Sequence, residues 1–235
     1  MPNPNLNSKK TRTTLLVLLA LGGATACNGG AGAGAGAIDG TNGAVASHQN
    51  IDNGTQSADG ITLALRYVSY LNQDGQPVIS EARSRQIVDR VNQIYAPCNI
   101  RFVLEEYLPV TPKDRGLEFG LSSMSDIEPT RAAFDEPNRV VVVNTGAWDH
   151  SSIGSANAWT AMPGTSPSGV VLESDVAENA EIVAHELGHH LNLDHVDDPA
   201  NLENPIIYST STFISASQCS TMRQSAQGIR SASLR

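Results

Sequence analysis

The sequence of 235 residues contains few basic and few aromatic residues. It has 15 Lys and Arg against 24 Asp and Glu, a formal net charge of −9, and aromatic residues make up 5%. Nucleic-acid binding requires a basic surface, so this charge balance argues against it. Charged residues are 17% and apolar residues 40% of the chain, which excludes a disordered acidic protein and leaves enough apolar side chains for one core.

Long apolar runs are absent after the N-terminus, which excludes a polytopic membrane protein. The one run near the N-terminus follows the basic residues Lys9, Lys10 and Arg12 and is too short to span a bilayer comfortably. Small residues come next and lead to Cys27. This layout predicts a secretory signal peptide over residues 1–26.

The place of Cys27, directly after Ala24, Thr25 and Ala26, resembles a bacterial lipobox. In a lipobox the cysteine is lipidated and becomes the new N-terminus, so the resemblance implies an exported lipoprotein of the bacterial cell envelope. Secretion without a lipid is the alternative. Removal of residues 1–26 leaves 12 basic and 24 acidic residues, so only a covalent anchor is expected to hold the chain at an anionic membrane.

Residues 27–59 are rich in Gly, Ala and Asn and cannot bury enough apolar area to offset the entropy lost on ordering. They are predicted to form a flexible tether, with a short propeptide as the alternative. The folded domain, expected to be a monomer, is therefore residues 60–235. Its two cysteines, Cys98 and Cys219, are expected to pair in an oxidising compartment, and two buried thiols are the alternative.

Strand-like and helix-like patterns follow one another along the folded part. The residue patterns predict strands at 61–71, 100–110, 139–144 and 169–172, and helices from Ser80 to Pro97, at 178–191 and at 213–229. The apolar points of the last helix are expected to be Phe213, Ile214, Met222 and Ile229. This order, without an internal repeat, predicts one mixed α/β domain large enough to bury a core.

One short segment carries an arrangement suited to metal chemistry. His185, Glu186 and His189 form an H-E-x-x-H motif, and His195 follows six residues later. A chain of this composition contains such a motif by chance roughly 0.007 times. Positions four apart share one face of a helix, so His185 and His189 are expected to reach one metal ion. Glu186 lies beside that position, where its carboxylate can take a proton from an activated water molecule.

His195 can join the two helical histidines only if the chain turns back. Ten further helical residues would carry it about 15 Å along the helix axis. Asn192 is a suitable turn residue, because Gly and Asn adopt the left-handed conformation at the lowest cost. We therefore expect the helix to end near Leu191 and the chain to reverse at Asn192.

The segment from His185 to His195 resembles the zinc signature H-E-x-x-H-x-x-G-x-x-H of the metzincin metalloproteases, in a pappalysin-like variant with Asn192 in place of Gly. The resemblance implies Zn²⁺ bound by His185, His189 and His195, with Glu186 as general base and acid. It implies a mixed, twisted sheet with an active-site helix and a C-terminal helix. The implied activity is that of a zinc-dependent endopeptidase with a protein or peptide substrate.

Two further features follow from the same resemblance. The strand before the active-site helix lines the cleft in this family, which assigns substrate contact to Val170, Val171 and Leu172, with ordinary sheet core as the alternative. Metzincins also carry a methionine in a turn beneath the metal. The segment Asn201–Pro205 looks like this turn and places Glu203 at the position of the methionine.

Two other functions are compatible with the sequence. Glu203 at the methionine position is consistent with a zinc-containing surface binding protein that has little proteolytic activity. A zinc amidohydrolase acting on cell-wall peptides would use a similar site on a different substrate.

Overall fold

The structure, a computed structural model, describes residues 59–235 and the short strand Ala24–Cys27. Residues 1–23 and 28–58 lie outside the described residues, and with them most of the predicted signal peptide and tether. The side chain of Cys27 is not described either, so the predicted lipidation stays a prediction. Within the described part of the chain, no helix combines the length and the apolar character that crossing a membrane requires.

A mixed β-sheet forms the centre of the fold. The strands among the described residues are β1 Ala24–Cys27, β2 Ile61–Tyr70, β3 Ile100–Val110, β4 Val140–Asn144, β5 Ala158–Ala161 and β6 Val170–Leu172. They lie in the order β1-β5-β6-β4-β2-β3. Strands β2, β3, β4 and β6 pair in parallel, whereas β5 is antiparallel to both β6 and β1. The run Val140–Val143 is buried between two parallel neighbours, as a continuous apolar strand is expected to be.

In residues 59–235 the sheet is accompanied by five α-helices: α1 Glu81–Tyr95, α2 Ile127–Ala132, α3 His150–Ile153, α4 Ala180–His190 and α5 Ala216–Gln227. Helix α1 begins where predicted, because the Ser80 hydroxyl accepts a hydrogen bond from the amide of Arg83 at 3.2 Å. Helix α5 begins with a capping box in which Ser215 and Gln218 satisfy each other's backbone amides. This arrangement of a mixed sheet with an internal and a C-terminal helix confirms the predicted fold class.

Helices α1 and α4 pack together on one side of the sheet in the largest cluster of buried apolar residues. Tyr95 is buried at the end of α1 and donates a hydrogen bond from its hydroxyl to the carbonyl of Ala184 in α4, at 2.8 Å. The Tyr95 ring also meets Phe102 edge to face, with ring centroids 5.3 Å apart. These contacts fix the position of α4, the helix that carries the H-E-x-x-H motif, against α1 and β3.

A disulfide joins Cys98 to Cys219, as the sequence predicts, across a sequence separation of 121 residues. Cys98 follows α1 and Cys219 lies in α5, so the bond ties the C-terminal helix to the first half of the domain. Cross-links over long loops stabilise mainly by restricting the unfolded chain.

Two expectations about local structure are wrong. The segment between β4 and β6, to which the residue patterns assign neither a strand nor a helix, contains β5 and the short helix α3. Phe213 and Ile229 are not apolar contacts of the last helix, because α5 spans only Ala216–Gln227 and leaves both side chains more than half exposed. Met222, on the inner face of α5, is fully buried.

Candidate metal centre

Helix α4 presents His185 and His189 from one face. The helix begins at Asn179, whose side-chain oxygen accepts hydrogen bonds from the amides of Glu181 and Ile182 at 3.0 and 3.2 Å. Both histidines are fully buried, and their ring centroids lie 4.5 Å apart. The four-residue spacing therefore brings the two imidazoles together as the motif predicts.

The orientation of each buried imidazole is set by a backbone carbonyl. His185 donates from Nδ1 to the carbonyl of Leu202 at 2.6 Å, and His189 donates from Nδ1 to that of Leu193 at 2.7 Å. A carbonyl oxygen only accepts, so the proton lies on Nδ1 in both rings, and Nε2 carries the lone pair that binds a metal.

Burial favours the neutral form of all three histidines. Burial first, and then the neighbouring imidazoles, lower the pKa of His185 well below its ordinary value and the pKa of His189 to about 4. Partial desolvation also lowers the pKa of His195, although this residue is exposed. Neutral imidazole is the form that binds metal ions, so these shifts favour a metal site at neutral pH.

The chain reverses directly after α4 and brings His195 back to the two helical histidines. Asn192 adopts a left-handed conformation with φ of 75°, as predicted, and the amide of Leu193 donates to the carbonyl of Gly188 at 3.0 Å. Nε2 of His195 lies 3.2 Å from Nε2 of His189. One ligand atom from each of the three histidines lies within 4.8 Å of the others.

This donor set fits a catalytic zinc ion. Zinc prefers nitrogen ligands, and catalytic sites pair three protein ligands with one open position. The three histidines supply three neutral imidazoles, two of them held in the metal-binding tautomer by carbonyls. They are positioned to bind a metal ion.

Glu186 is buried beside the histidines and contacts Thr160 of β5. The Thr160 hydroxyl donates a hydrogen bond to Oε2 of Glu186, and both side chains are fully buried. Sequence reasoning did not assign a role to Thr160, because its position opposite Glu186 depends on how β5 packs against α4. A polar residue in the otherwise apolar run Ala158–Ala161 was the only available signal.

Glu203 lies beneath the histidines, at the place that the sequence resemblance gives to a methionine. Its side chain is fully buried, and Oε2 lies 3.3 Å from Nδ1 of His189 and 3.6 Å from Nδ1 of His185. Both Nδ1–H groups are directed to carbonyls, and within the described residues neither carboxyl oxygen of Glu203 has a hydrogen-bond partner. Burial, followed by the nearby charge of Glu186, raises the pKa of Glu203 well above its ordinary value.

Gly188 provides the space that Glu203 occupies. A Cβ atom added at Gly188 would overlap Oε1 of Glu203 and would lie 3.0 Å from its Cδ. The backbone of Glu203 is fixed as well, because its amide donates a hydrogen bond to the side-chain oxygen of Asn201 at 2.9 Å. The glycine in the H-E-L-G-H sequence thus accommodates a side chain that lies fifteen residues further along the chain.

The substrate-binding strand requires a correction. Val170, Val171 and Leu172 form β6, which is paired on one side with β4 and on the other with β5, and all three side chains are fully buried. A strand with both edges occupied has no backbone groups left for a peptide, so these residues belong to the sheet core. Within the described residues, β5 pairs with β6 on one side and with the four residues of β1 on the other.

Comparison with known proteins supports the fold. The chain resembles the crystal structure of metalloproteinase-II from Bacteroides fragilis, with a TM-score of 0.51 and 16% sequence identity over 73% of this chain. The chain spans about 55% of the length of that metalloproteinase. No protein-family profile matches the sequence, and a comparison with curated proteins finds no relative. At this level of identity the similarity establishes a metalloproteinase fold.

Proposed function

We propose that the protein is a zinc-dependent endopeptidase of the metzincin type. The observation that carries this proposal is the arrangement of three convergent imidazoles with a buried glutamate one residue after the first ligand. A metal site that only stabilises the fold does not need that glutamate. The metalloproteinase fold of the chain is consistent with the same activity.

Each polar group of the centre has a role in peptide hydrolysis. A bound zinc ion supplies Lewis-acid chemistry, which lowers the pKa of water toward about 7 and polarises a carbonyl. Glu186 accepts the proton of the attacking water at its carboxylate and delivers it to the leaving amine. The Thr160 hydroxyl holds Oε2 of Glu186 and so fixes the direction from which the carboxylate receives that proton.

An extended peptide is the substrate that suits the edge of β5. Strand β1 pairs with this edge in antiparallel register, with Thr25 opposite Thr160, the residue that contacts Glu186. Main-chain hydrogen bonds from an edge strand hold a peptide whatever its sequence, and side-chain pockets then select among sequences. We infer that a substrate segment pairs with β5 in the same way and passes the metal centre.

Export is the second part of the proposal. Cleavage before Cys27 would separate Ala24–Ala26 from the mature chain and clear most of the β5 edge. A lipid on Cys27 would then hold the enzyme, as a monomer, at the bacterial cell envelope. A disulfide between Cys98 and Cys219 is consistent with an oxidising compartment.

The test is digestion of a denatured protein mixture by the purified chain carrying one zinc ion, with fragments identified by mass spectrometry. We expect a consistent cleavage preference and loss of all cleavage when a chelator removes the metal. Glu186→Gln keeps the shape of the side chain and should retain zinc while losing activity by roughly 10²-fold or more. Glu178→Gln, at a largely exposed glutamate before α4, is the matched control and should cleave normally.

The alternatives give different results in this assay. A zinc-loaded chain that releases no peptides from proteins but cleaves cell-wall peptides is an amidohydrolase. A zinc-loaded chain inactive on both substrates is a binding protein. Full activity of Glu186→Gln would refute the assigned mechanism.

A further inference from the structure

The described part of the chain gives Glu203 no counter-charge other than the histidines above it. Within the described residues its ion-pair contacts are with His185 and His189 alone, and no Lys or Arg reaches its carboxyl group. A buried carboxyl group without a hydrogen-bond partner is unfavourable, whereas a methionine thioether at this place would be accommodated without that cost. Glu203 therefore makes the metal-free fold less stable than an apolar residue of similar length would.

The same carboxyl group is favourably placed once the histidines hold a divalent cation. A cation held at Nε2 of His185 and His189 would polarise both rings and increase the positive charge on their Nδ1 sides. The Nδ1–H groups donate to the carbonyls of Leu202 and Leu193, so the Glu203 carboxyl group acts on the rings by its charge and not as their hydrogen-bond acceptor. Oε2 of Glu203 lies 3.3 and 3.6 Å from the two Nδ1 atoms, close enough to stabilise both rings at once. The carboxyl group occupies the space beside Gly188, where that residue has no side chain, and it is fully buried. It therefore stays next to the two rings and is not solvated by water.

We propose that Glu203 is a positioning residue that couples folding of the site to metal binding. It strengthens the affinity of the three histidines for a divalent cation by acting through His185 and His189, and it lowers the stability of the metal-free chain. This inference rests on the metal centre of the proposed function but is independent of whether the enzyme cleaves proteins. Glu203 does not touch the metal in this arrangement and is not a catalytic residue.

Two substitutions separate the charge of Glu203 from its shape. Glu203→Gln keeps the size of the side chain and removes the charge, and Glu203→Met introduces an unbranched apolar side chain of similar length. We expect both to weaken zinc binding by about 10- to 100-fold, the usual effect of losing a partner of a ligating histidine. We expect Glu203→Met to raise the Tm of the metal-free chain by a few degrees, because it removes a buried polar group that has no hydrogen-bond partner. Glu203→Gln keeps a buried polar group at the same place and should leave this Tm about unchanged.

Glu173→Gln is the matched control. Glu173 is the other fully buried glutamate outside the active centre, but its carboxylate accepts hydrogen bonds from the Trp148 amide at 2.7 Å and the Asn157 side chain at 2.8 Å, and it contacts His150 at 3.0 Å. Replacing it removes satisfied contacts, so the Tm of the metal-free chain should fall while the zinc affinity stays that of the wild type. The same substitution is thus expected to lower the metal-free Tm at Glu173 and to leave it about unchanged at Glu203.

The experiment measures the zinc Kd of the purified, metal-stripped full chain by competition with a chromogenic chelator, and the Tm with and without zinc. The visible absorption spectrum of the cobalt-substituted chain reports the ligand field of the metal. Glu203→Gln should change this spectrum if Glu203 acts on the ligating histidines, and should leave it unchanged if Glu203 matters only for packing. Zinc affinities of both Glu203 variants within twofold of wild type, or a lower metal-free Tm in both, would overturn the proposal. A wild-type chain that binds zinc tightly but cleaves nothing would instead overturn only the endopeptidase.

Discussion

The space between Gly188 and Glu203 leads to a prediction that runs against the ordinary behaviour of helical glycines. Gly188 lies in the interior of α4, where replacement by alanine normally adds roughly 0.5–1 kcal/mol of stability by reducing the entropy of the unfolded chain. Here the new methyl group would overlap Oε1 of Glu203. Glu203 is fully buried and has no route to solvent. We therefore expect Gly188→Ala to destabilise the protein.

The size of this loss follows from two opposing terms. Overpacking a close-packed interior typically costs about 1–3 kcal/mol, and the helix propensity of alanine returns up to about 1 kcal/mol of that. Subtracting a gain of about 0.5–1 kcal/mol, the net loss for Gly188→Ala should be up to about 2.5 kcal/mol, with a central value of about 1 kcal/mol. In a Glu203→Ala background the overlapping atom is gone, and the same substitution should add stability. The coupling between the two positions should then be about 1–3 kcal/mol.

A double-mutant cycle measures this coupling directly. The four chains, unchanged, Gly188→Ala, Glu203→Ala and the double variant, are unfolded with urea in the metal-free state, and the free energies of unfolding are compared. The diagnostic result is a change of sign: Gly188→Ala destabilises when Glu203 is present and stabilises when it is absent. Equal effects in both backgrounds would show that Glu203 does not occupy the space above Gly188, and the description of the site would be wrong.

Three other residues or pairs give further predictions. Replacing Cys98 and Cys219 together by alanine should lower the free energy of unfolding by roughly 4–5 kcal/mol in the loop-entropy account, measured by urea titration, and an unchanged value would exclude the cross-link in solution. Asn192→Ala should cost about 1 kcal/mol in the same assay because φ is 75°, whereas Asn192→Gly should cost little, so equal losses would contradict a left-handed turn. Thr160→Val should reduce kcat about 10-fold or more without changing the zinc content, because Glu186 loses a hydrogen bond. Thr160→Ser keeps the hydroxyl and should retain most of the rate. A valine variant with unchanged kcat would show that Thr160 does not position Glu186.

The metal centre was predictable because its geometry is local. The spacing of His185 and His189 fixes one face of a helix, and the left-handed preference of Asn192 provides the reversal that returns His195. The caps of α1, the buried run of β4 and the order of strands and helices also follow from nearest-neighbour chemistry. Each of these features depends on residues within about one or two turns of one another.

The position of β6 in the sheet was not predictable in this way. Val170–Leu172 is apolar and precedes the active-site helix, and this pattern fits an inner strand and an edge strand equally well. The pairing of β6 with both β4 and β5 makes β6 an inner strand and places β5 between β6 and the four-residue strand β1. Sheet order depends on contacts between distant segments, which no local pattern specifies.

The sequence alone therefore determined which three histidines converge at the candidate metal centre, the turn that brings them together and the general fold class, because each depends on backbone preferences over a short span. Only the tertiary structure decided that Thr160 holds Glu186 and that Glu203 lies under both helical histidines in the space left by Gly188. These contacts join segments separated by fifteen or more residues. They depend on how the sheet, α4 and the turn that follows His195 pack together.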